Sequence, residues 1–345
     1  MTPRPTPTEP AGGSPLAESA GRKERFRLAP AITRRDRGAR LGGLAAAIVA
    51  AGLAAAPCLG GDSAALAARS LLLGSQTVGT ATFAVGAYGH ILRSTDDGRS
   101  WQLGAVPTAV TLTEVSFPDA QHGWAVGHDA LILHSEDGGH TWTKQYQGPN
   151  PDAPLLSVLF LDRATGFAVG AYGQYLSTAD GGRTWSARSI VAEDRHFNRI
   201  TAGPSGTLYI AGEQGTLLRS RDRGATWQAI ESPYDGSFYG VLPLSDTALL
   251  AYGLRGRIYR SENDGADWSL VPVAPRVLLA TAVRLRGGAI VIAGQARIFL
   301  VSRDEGRTFT PWTTAMTTPV ASLVETAGGQ LLALGEVGIT VLPQP

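Results

Sequence analysis

Six times along the chain a hydroxyl, a carboxylate or amide, a glycine and an aromatic ring recur in the order Ser/Thr-x-Asp/Asn-x-Gly-x-x-aromatic. The first three boxes hold Ser94, Asp96, Gly98 and Trp101, then Ser135, Asp137, Gly139 and Trp142, then Thr178, Asp180, Gly182 and Trp185. The last three hold Ser220, Asp222, Gly224 and Trp227, then Ser261, Asn263, Gly265 and Trp268, then Ser302, Asp304, Gly306 and Phe309. A hydroxyl two residues before a carboxylate could act as a nucleophile, an ion ligand or a turn lock. A calcium loop needs several oxygens and a bidentate Glu, whereas each box fixes a single carboxylate and Asn263 replaces even that one. As a turn, every position is used. The Asp accepts from turn amides, the Gly supplies a positive φ, the hydroxyl ties down the start, and the aromatic ring buries itself against a neighbour. The boxes are read as structural.

Other reactive groups are no better arranged. His90, His122, His128, His134, His140 and His196 form no His-Glu-x-x-His pattern, and no Gly-x-Ser-x-Gly elbow or phosphate-binding loop occurs. The sole cysteine, Cys58, precedes the repeats, so they hold no thiol, disulfide or cysteine-based metal site. No catalytic residue, metal or cofactor is expected. A formal charge of +1 gives no electrostatic case for nucleic acid.

The elements that carry the boxes follow from their spacing. The closing aromatics stand 41, 43, 42, 41 and 41 residues apart, the period of a four-stranded propeller blade. A second marker, a glycine ending a small apolar run, falls at Gly86, Gly127, Gly170, Gly212, Gly253, Gly294 and Gly335. Seven glycines predict seven repeats: an all-β, seven-bladed β-propeller over 64–345, expected to be a monomer. The seventh repeat runs out after three strands at Pro343. A closed ring leaves no free sheet edge, so a strand from the other terminus is expected to complete it, with 64–75, including Leu71-Leu72-Leu73, as the candidates. The first repeat's own leading strand must come from the same region, which leaves the assignment at the closure open. Almost no helix is expected outside 41–60.

Residues 1–40 are rich in Pro, Gly, Ser and Thr and then in Arg, a composition that reads as a disordered basic tail. Leu41–Ala56 follows, 16 residues without a charge, so 41–60 reads as a signal peptide or a membrane anchor. Cys58 adds a lipoprotein reading, against which Pro57 stands. Each of these places the propeller across a bacterial inner membrane, in the periplasm or beyond, with the basic residues behind it.

The eight-residue element resembles the Asp-box, or BNR repeat, of bacterial neuraminidases. A longer phrase is more specific: Val115-Ser116-Phe117-Pro118-Asp119 and Val158-Leu159-Phe160-Leu161-Asp162, followed by Gly-Trp/Phe-Ala-Val-Gly and the box. That combination is similar to the photosystem II stability/assembly factor family of seven-bladed propellers and its non-photosynthetic bacterial relatives. The resemblance implies a non-catalytic assembly or accessory factor. Its client would be a membrane or exported protein, such as a transporter or a membrane complex under assembly. The alternative is a glycan-binding or sialidase-like hydrolytic protein. A sialidase needs three arginines for the substrate carboxylate, and the Arg-Ile/Leu-Pro phrase that usually precedes its first box is missing around Arg69-Ser70-Leu71.

Function is then expected on loops held by the ring. The turn after each second strand should share the face opposite the boxes with the connections between blades. This puts Tyr88, His90, His128, Asp129, Tyr172, Glu213, Arg255, Arg257 and Arg297 on a candidate client-binding face, with Asp194, Arg195, His196 and Tyr234 on the connections. Arg93, Arg219 and Arg260, each just before a box, are read as strand-pairing residues.

Overall fold

The computed structural model describes residues 60–345 apart from residue 275. The basic tail, the uncharged run and Cys58 lie outside the described residues. Seven antiparallel sheets follow one another along the chain, spanning 72–103, 112–147, 155–187, 197–229, 238–270, 279–311 and 320–342. They are called blades 1 to 7. The first strands of successive blades contact one another around the full circle, including blade 7 with blade 1, so they line the axis of a seven-bladed propeller.

Each second strand is a short apolar run, such as Gly123–Gly127 or Ile290–Gly294, because neighbouring blades cover both of its faces. The marker glycine ending it is extended, with φ −175° at Gly127, and glycine is required there by close approach. A Cβ on any of the seven would lie 2.1–2.4 Å from the carbonyl oxygen that precedes the blade's first strand. The box glycines are required for a different reason, with φ between 79° and 85°.

Apolar side chains gather in seven clusters, each filling one gap between neighbouring blades. Rings bridge the gaps directly: Phe83 of blade 1 stacks on Phe117 of blade 2 at 3.8 Å, and Trp124 of blade 2 on Phe160 of blade 3 at 3.5 Å. The box aromatics close these clusters from the outer side, Trp142 standing edge-on to Phe117 at 5.8 Å.

Closure departs from the sequence expectation in two respects. Six blades have four strands, but blade 7 has three, and among the described residues no strand from the N-terminal side joins it. Residues 64–75 do two other things. Leu72–Val78 is needed as the first strand of blade 1, and Gly60–Ala67 upstream forms a helix, α1. Its sequence, GGDSAALA, favours that outcome, since three of its eight residues are alanine, the best helix former, and a fourth is leucine. Ala64 and Ala67, one helical turn apart, are buried with Leu72, Leu92, Val324, Leu332 and Leu334 in the cluster between blades 7 and 1. Just after the helix, the carbonyl of Ala68 accepts the N–H of Ile339 on the third strand of blade 7 at 2.9 Å. The ring is therefore closed by an alanine-faced helix wedge, with Ser75 Oγ and Ser322 Oγ hydrogen bonded at 2.7 Å nearer the axis. Because Ala67 is only 1% exposed, Ala67→Leu should overfill the seam and lower unfolding stability by about 1–3 kcal/mol in urea titration, whereas substitution of the exposed Ala65 should have little effect.

Candidate functional site

In each box the polar groups bond to one another. Ser94 Oγ donates to Asp96 Oδ1 at 2.8 Å and accepts the Gly98 N–H at 2.9 Å. Asp96 Oδ1 also takes the Ser100 N–H at 2.9 Å, and its Oδ2 takes the Ser100 hydroxyl at 2.6 Å. The same pattern joins Asp137 to Thr141, Asp180 to Thr184, Asp222 to Thr226 and Asp304 to Thr308. This partner at the seventh position was missed in the sequence reading, although Ser or Thr stands there in five boxes. The fifth box exchanges the pair: Asn263 Nδ2 donates to Asp267 Oδ2 at 2.8 Å. The box carboxylates are thus held in closed turns.

These bonds lower the pKa values of the box aspartates. Hydroxyl donation from Ser100, Thr226 and Thr308 leads in holding Asp96, Asp222 and Asp304 at about 2 instead of 3.8. The Thr184 amide and hydroxyl do the same for Asp180, and for Asp137 partial burial works upward but is outweighed by Thr141 and its neighbours.

Two of the three arginines before the boxes reach the fourth position of the next blade's box. Arg219 Nη1 donates to Asp264, at 2.6 Å to its carbonyl and 2.9 Å to its carboxylate, and Arg260 Nε donates to the Glu305 carbonyl at 2.9 Å. Arg93 faces a box with Gly138 at that place, and its Nε is buried without a hydrogen-bond partner.

The opposite face is made of tight hairpins. In Ala87-Tyr88-Gly89-His90 the His90 N–H returns to the Ala87 carbonyl at 3.1 Å, with φ positive at Tyr88 and Gly89, the arrangement of a type I′ turn. Blades 2 to 6 repeat it, with Asp129, Tyr172, Gln214, Arg255 and Ala296 in the place of Tyr88. Connections between blades are tied to these turns, the Gly173 N–H donating to Arg195 O and the Gly256 N–H to Val277 O.

All nine candidate residues belong to these turns, but they are not gathered equally. Tyr88 projects with 71% exposure, while His90 turns toward Ser70 Oγ at 2.9 Å and its pKa is lowered by burial. Tyr172, 54% exposed, meets His196 edge-on at 5.0 Å, and His196 Nδ1 lies 3.5 Å from Glu213. His128, Asp129, Arg255, Arg257 and Arg297 remain separate, Arg257 lying 6.0 Å over the ring of Tyr234. Beside Tyr172 opens a cleft of about 480 Å³, walled by Tyr146, Gln174, Arg188, Glu193 and Asp194. Its far wall exists because the fourth strand of blade 2, Thr143–Gln147, has five residues where other four-stranded blades have two.

One charged pair was not found from the sequence. Position three of the first strand holds Gly74, Glu114, Ser157, Arg199, Gly240, Thr281 and Ser322 around the axis. Five are small, and the other two form an ion pair, Arg199 Nη2 to Glu114 Oε2 at 3.2 Å, linking blade 4 to blade 2. Burial pushes Glu114 upward, with Arg199 opposing. Alignment of the seven first strands would have exposed this layer. Among the described residues no three or more His, Cys, Asp or Glu side chains gather as metal ligands.

The fold and its boxes define a BNR-type propeller whose turn face carries the free polar and aromatic groups. The family described as photosynthesis system II assembly factor YCF48 matches residues 94–153 and 147–274, just over half of the chain, and the chain belongs to that family. It is 33% identical over 162 residues to the photosystem II assembly protein Ycf48 of Synechococcus sp. (strain JA-2-3B'a(2-13)), covering 46% of this chain and 49% of that one. It is 37% identical over 163 residues to the Ycf48 of Synechococcus sp. (strain JA-3-3Ab), covering 46% and 48%. The chain spans about half or less of the curated relatives it matches. A solved structure described as YCF48 bound to D1 peptide superposes with a TM-score of 0.66 at 19% identity, over 80% of this chain and 94% of that one. The xyloglucanase from Xanthomonas campestris superposes at 0.64 with 13% identity, over 79% and 52%, so likeness at this level shows the fold alone.

The box carboxylates give the fold a defined acid limit. Their folded pKa values lie below the unfolded ones, so the stability they add is complete above pH 3.8 and is lost as pH falls through about 2. Urea unfolding followed against pH should show this decline, and Thr184→Val with Thr226→Val should flatten it.

Proposed function

We propose that this protein is a non-catalytic assembly or accessory factor that holds a membrane or exported protein client on the face opposite its boxes. The observation that carries this reading is the division of polar groups between the two ends of the ring. Box hydroxyls and carboxylates are occupied within their own turns, whereas the other face presents Tyr172, His196 and Glu213 beside an open cleft. Tyrosine beside a concave polar rim is the composition of a protein-recognition hot spot. Relatives named as photosystem II assembly proteins, and a YCF48 structure described with a bound peptide, support a protein client. The basic tail and uncharged run support delivery across a bacterial inner membrane, by a cleaved signal or a retained anchor.

Affinity capture from cross-linked membranes tests the reading. Tyr172→Ala should lower client recovery at least about tenfold, as loss of a hot-spot aromatic does, while Arg183→Ala near a box should not. Equal recovery from both would refute the face assignment. Turnover of a sialoside or β-glucan above about one per second would refute the non-catalytic reading.

A further inference from the structure

The turn face is polarised in charge. Blades 2 to 4 and their connections place Asp129, Asp152, Glu193, Asp194, Glu213 and Asp235 on it. The two arginines there are engaged: Arg195 lies 3.7 Å from Glu193, and Arg188 donates to the carbonyls of Gly224 and Ala225. Blades 5 to 7 and the segment leading into blade 1 place Arg255, Arg257, Arg276, Arg297 and Arg69 on the same face, all exposed, against the single acid Glu336 at the blade 7 turn. Among the described residues, Arg69, Arg255, Arg276 and Arg297 have no carboxylate partner.

Exposed apolar side chains concentrate in that basic half, at the seam closed by α1. Leu66, Leu71, Tyr88 and Val337 are 70%, 36%, 71% and 44% exposed. Three contacts hold their segments together. The Leu71 carbonyl accepts the Ala87 N–H, Ser70 Oγ bonds His90 Nδ1, and the Ala68 carbonyl accepts the Ile339 N–H. The uncharged run Leu41–Ala56 ends four residues before Gly60, where α1 begins and leads directly into this patch.

Apolar side chains rimmed by unpaired arginines are the composition of a surface that sits in the boundary layer of an anionic bilayer, with the side chains among the headgroups and the guanidinium groups on phosphates. We propose that the basic half of the turn face, around the blade 7 and blade 1 seam, rests on an anionic lipid surface, leaving the acidic half clear beside the membrane.

The test uses the full chain with Cys58→Ser and one fluorescent label on an introduced cysteine, at Glu336→Cys, at Glu193→Cys on the acidic half, or at Ser205→Cys in the hairpin on the box side. Each is reconstituted into phosphatidylglycerol-containing vesicles carrying lipids brominated close to the headgroup. Quenching at Glu336→Cys should exceed that at the other two positions at least about threefold, and should fall to their level when Arg69, Arg255 and Arg297 are all replaced by Glu. Unchanged circular dichroism and tryptophan emission establish that the charge-reversed protein is folded. Equal quenching at the three positions, no quenching at Glu336→Cys, or quenching that survives charge reversal would overturn the proposal. Arginines that recognise an acidic protein segment would leave the Glu336→Cys label unquenched by lipid. Client capture through Tyr172 is untouched by each of these outcomes.

Discussion

A ring of wedge-shaped sheets is stable only if every gap between neighbours is filled, and the gap between blade 7 and blade 1 is the one the repeat does not fill by itself. The other six gaps join consecutive segments of chain, so each brings its two apolar faces together within one period. The seventh must join residues about an entire chain length apart and bears the entropy of closing the longest loop. It is filled by Ala64 and Ala67 of α1 against Leu72, Leu92, Leu332 and Leu334, with one backbone bond from Ile339 to Ala68. Small side chains matter here because the helix must approach the sheet edge closely. A Cβ on Gly338 would stand 1.9 Å from the Ala68 carbonyl oxygen.

Once the ring is closed, its two faces divide the work. On one, each Asp or Asn is bound by the hydroxyl before it and the donors after it, fixing the turn that aims an aromatic ring into the cluster between blades. These turns therefore contribute to packing, and their polar groups have little capacity left for a ligand. On the other, backbone bonds between hairpins and connections set the turns rigidly while their side chains point outward. A rigid scaffold presenting variable side chains can recognise a partner without ordering itself first, which removes one of the main costs of association. Around the axis the Glu114 and Arg199 pair ties blade 2 to blade 4, and loss of either partner would leave a buried charge uncompensated, a change that typically costs about 3–5 kcal/mol.

The sequence reveals most clearly what the repeat enforces. Seven marker glycines give seven blades because each answers the same steric demand, the carbonyl oxygen in front of its own blade's first strand. Closure was misread for a related reason: residues 60–71 belong to no repeat, and an expectation built on periodicity supplied a strand where alanine content and the need to spare Leu72–Val78 gave a helix. The placement of turn residues on one face was legible from strand order alone. Which of them meet was not, because the contact of Tyr172 with His196 and Glu213 depends on the path of the connection after blade 3. The cleft beside them depends on three extra residues in the last strand of blade 2, and the axial ion pair joins positions more than eighty residues apart.

The dependence of the whole ring on the alanine-faced seam is open to direct measurement by native-state hydrogen exchange in low urea. If α1 closes the ring as firmly as strand pairing closes each blade, the amides of Val320–Glu325 and Leu331–Gly335 in blade 7 will exchange through the same global opening as those of Phe197–Ala202 and Leu208–Gly212 in blade 4. Exchange of blade 7 as a separate unit, with an opening free energy well below that of blade 4, would contradict the account.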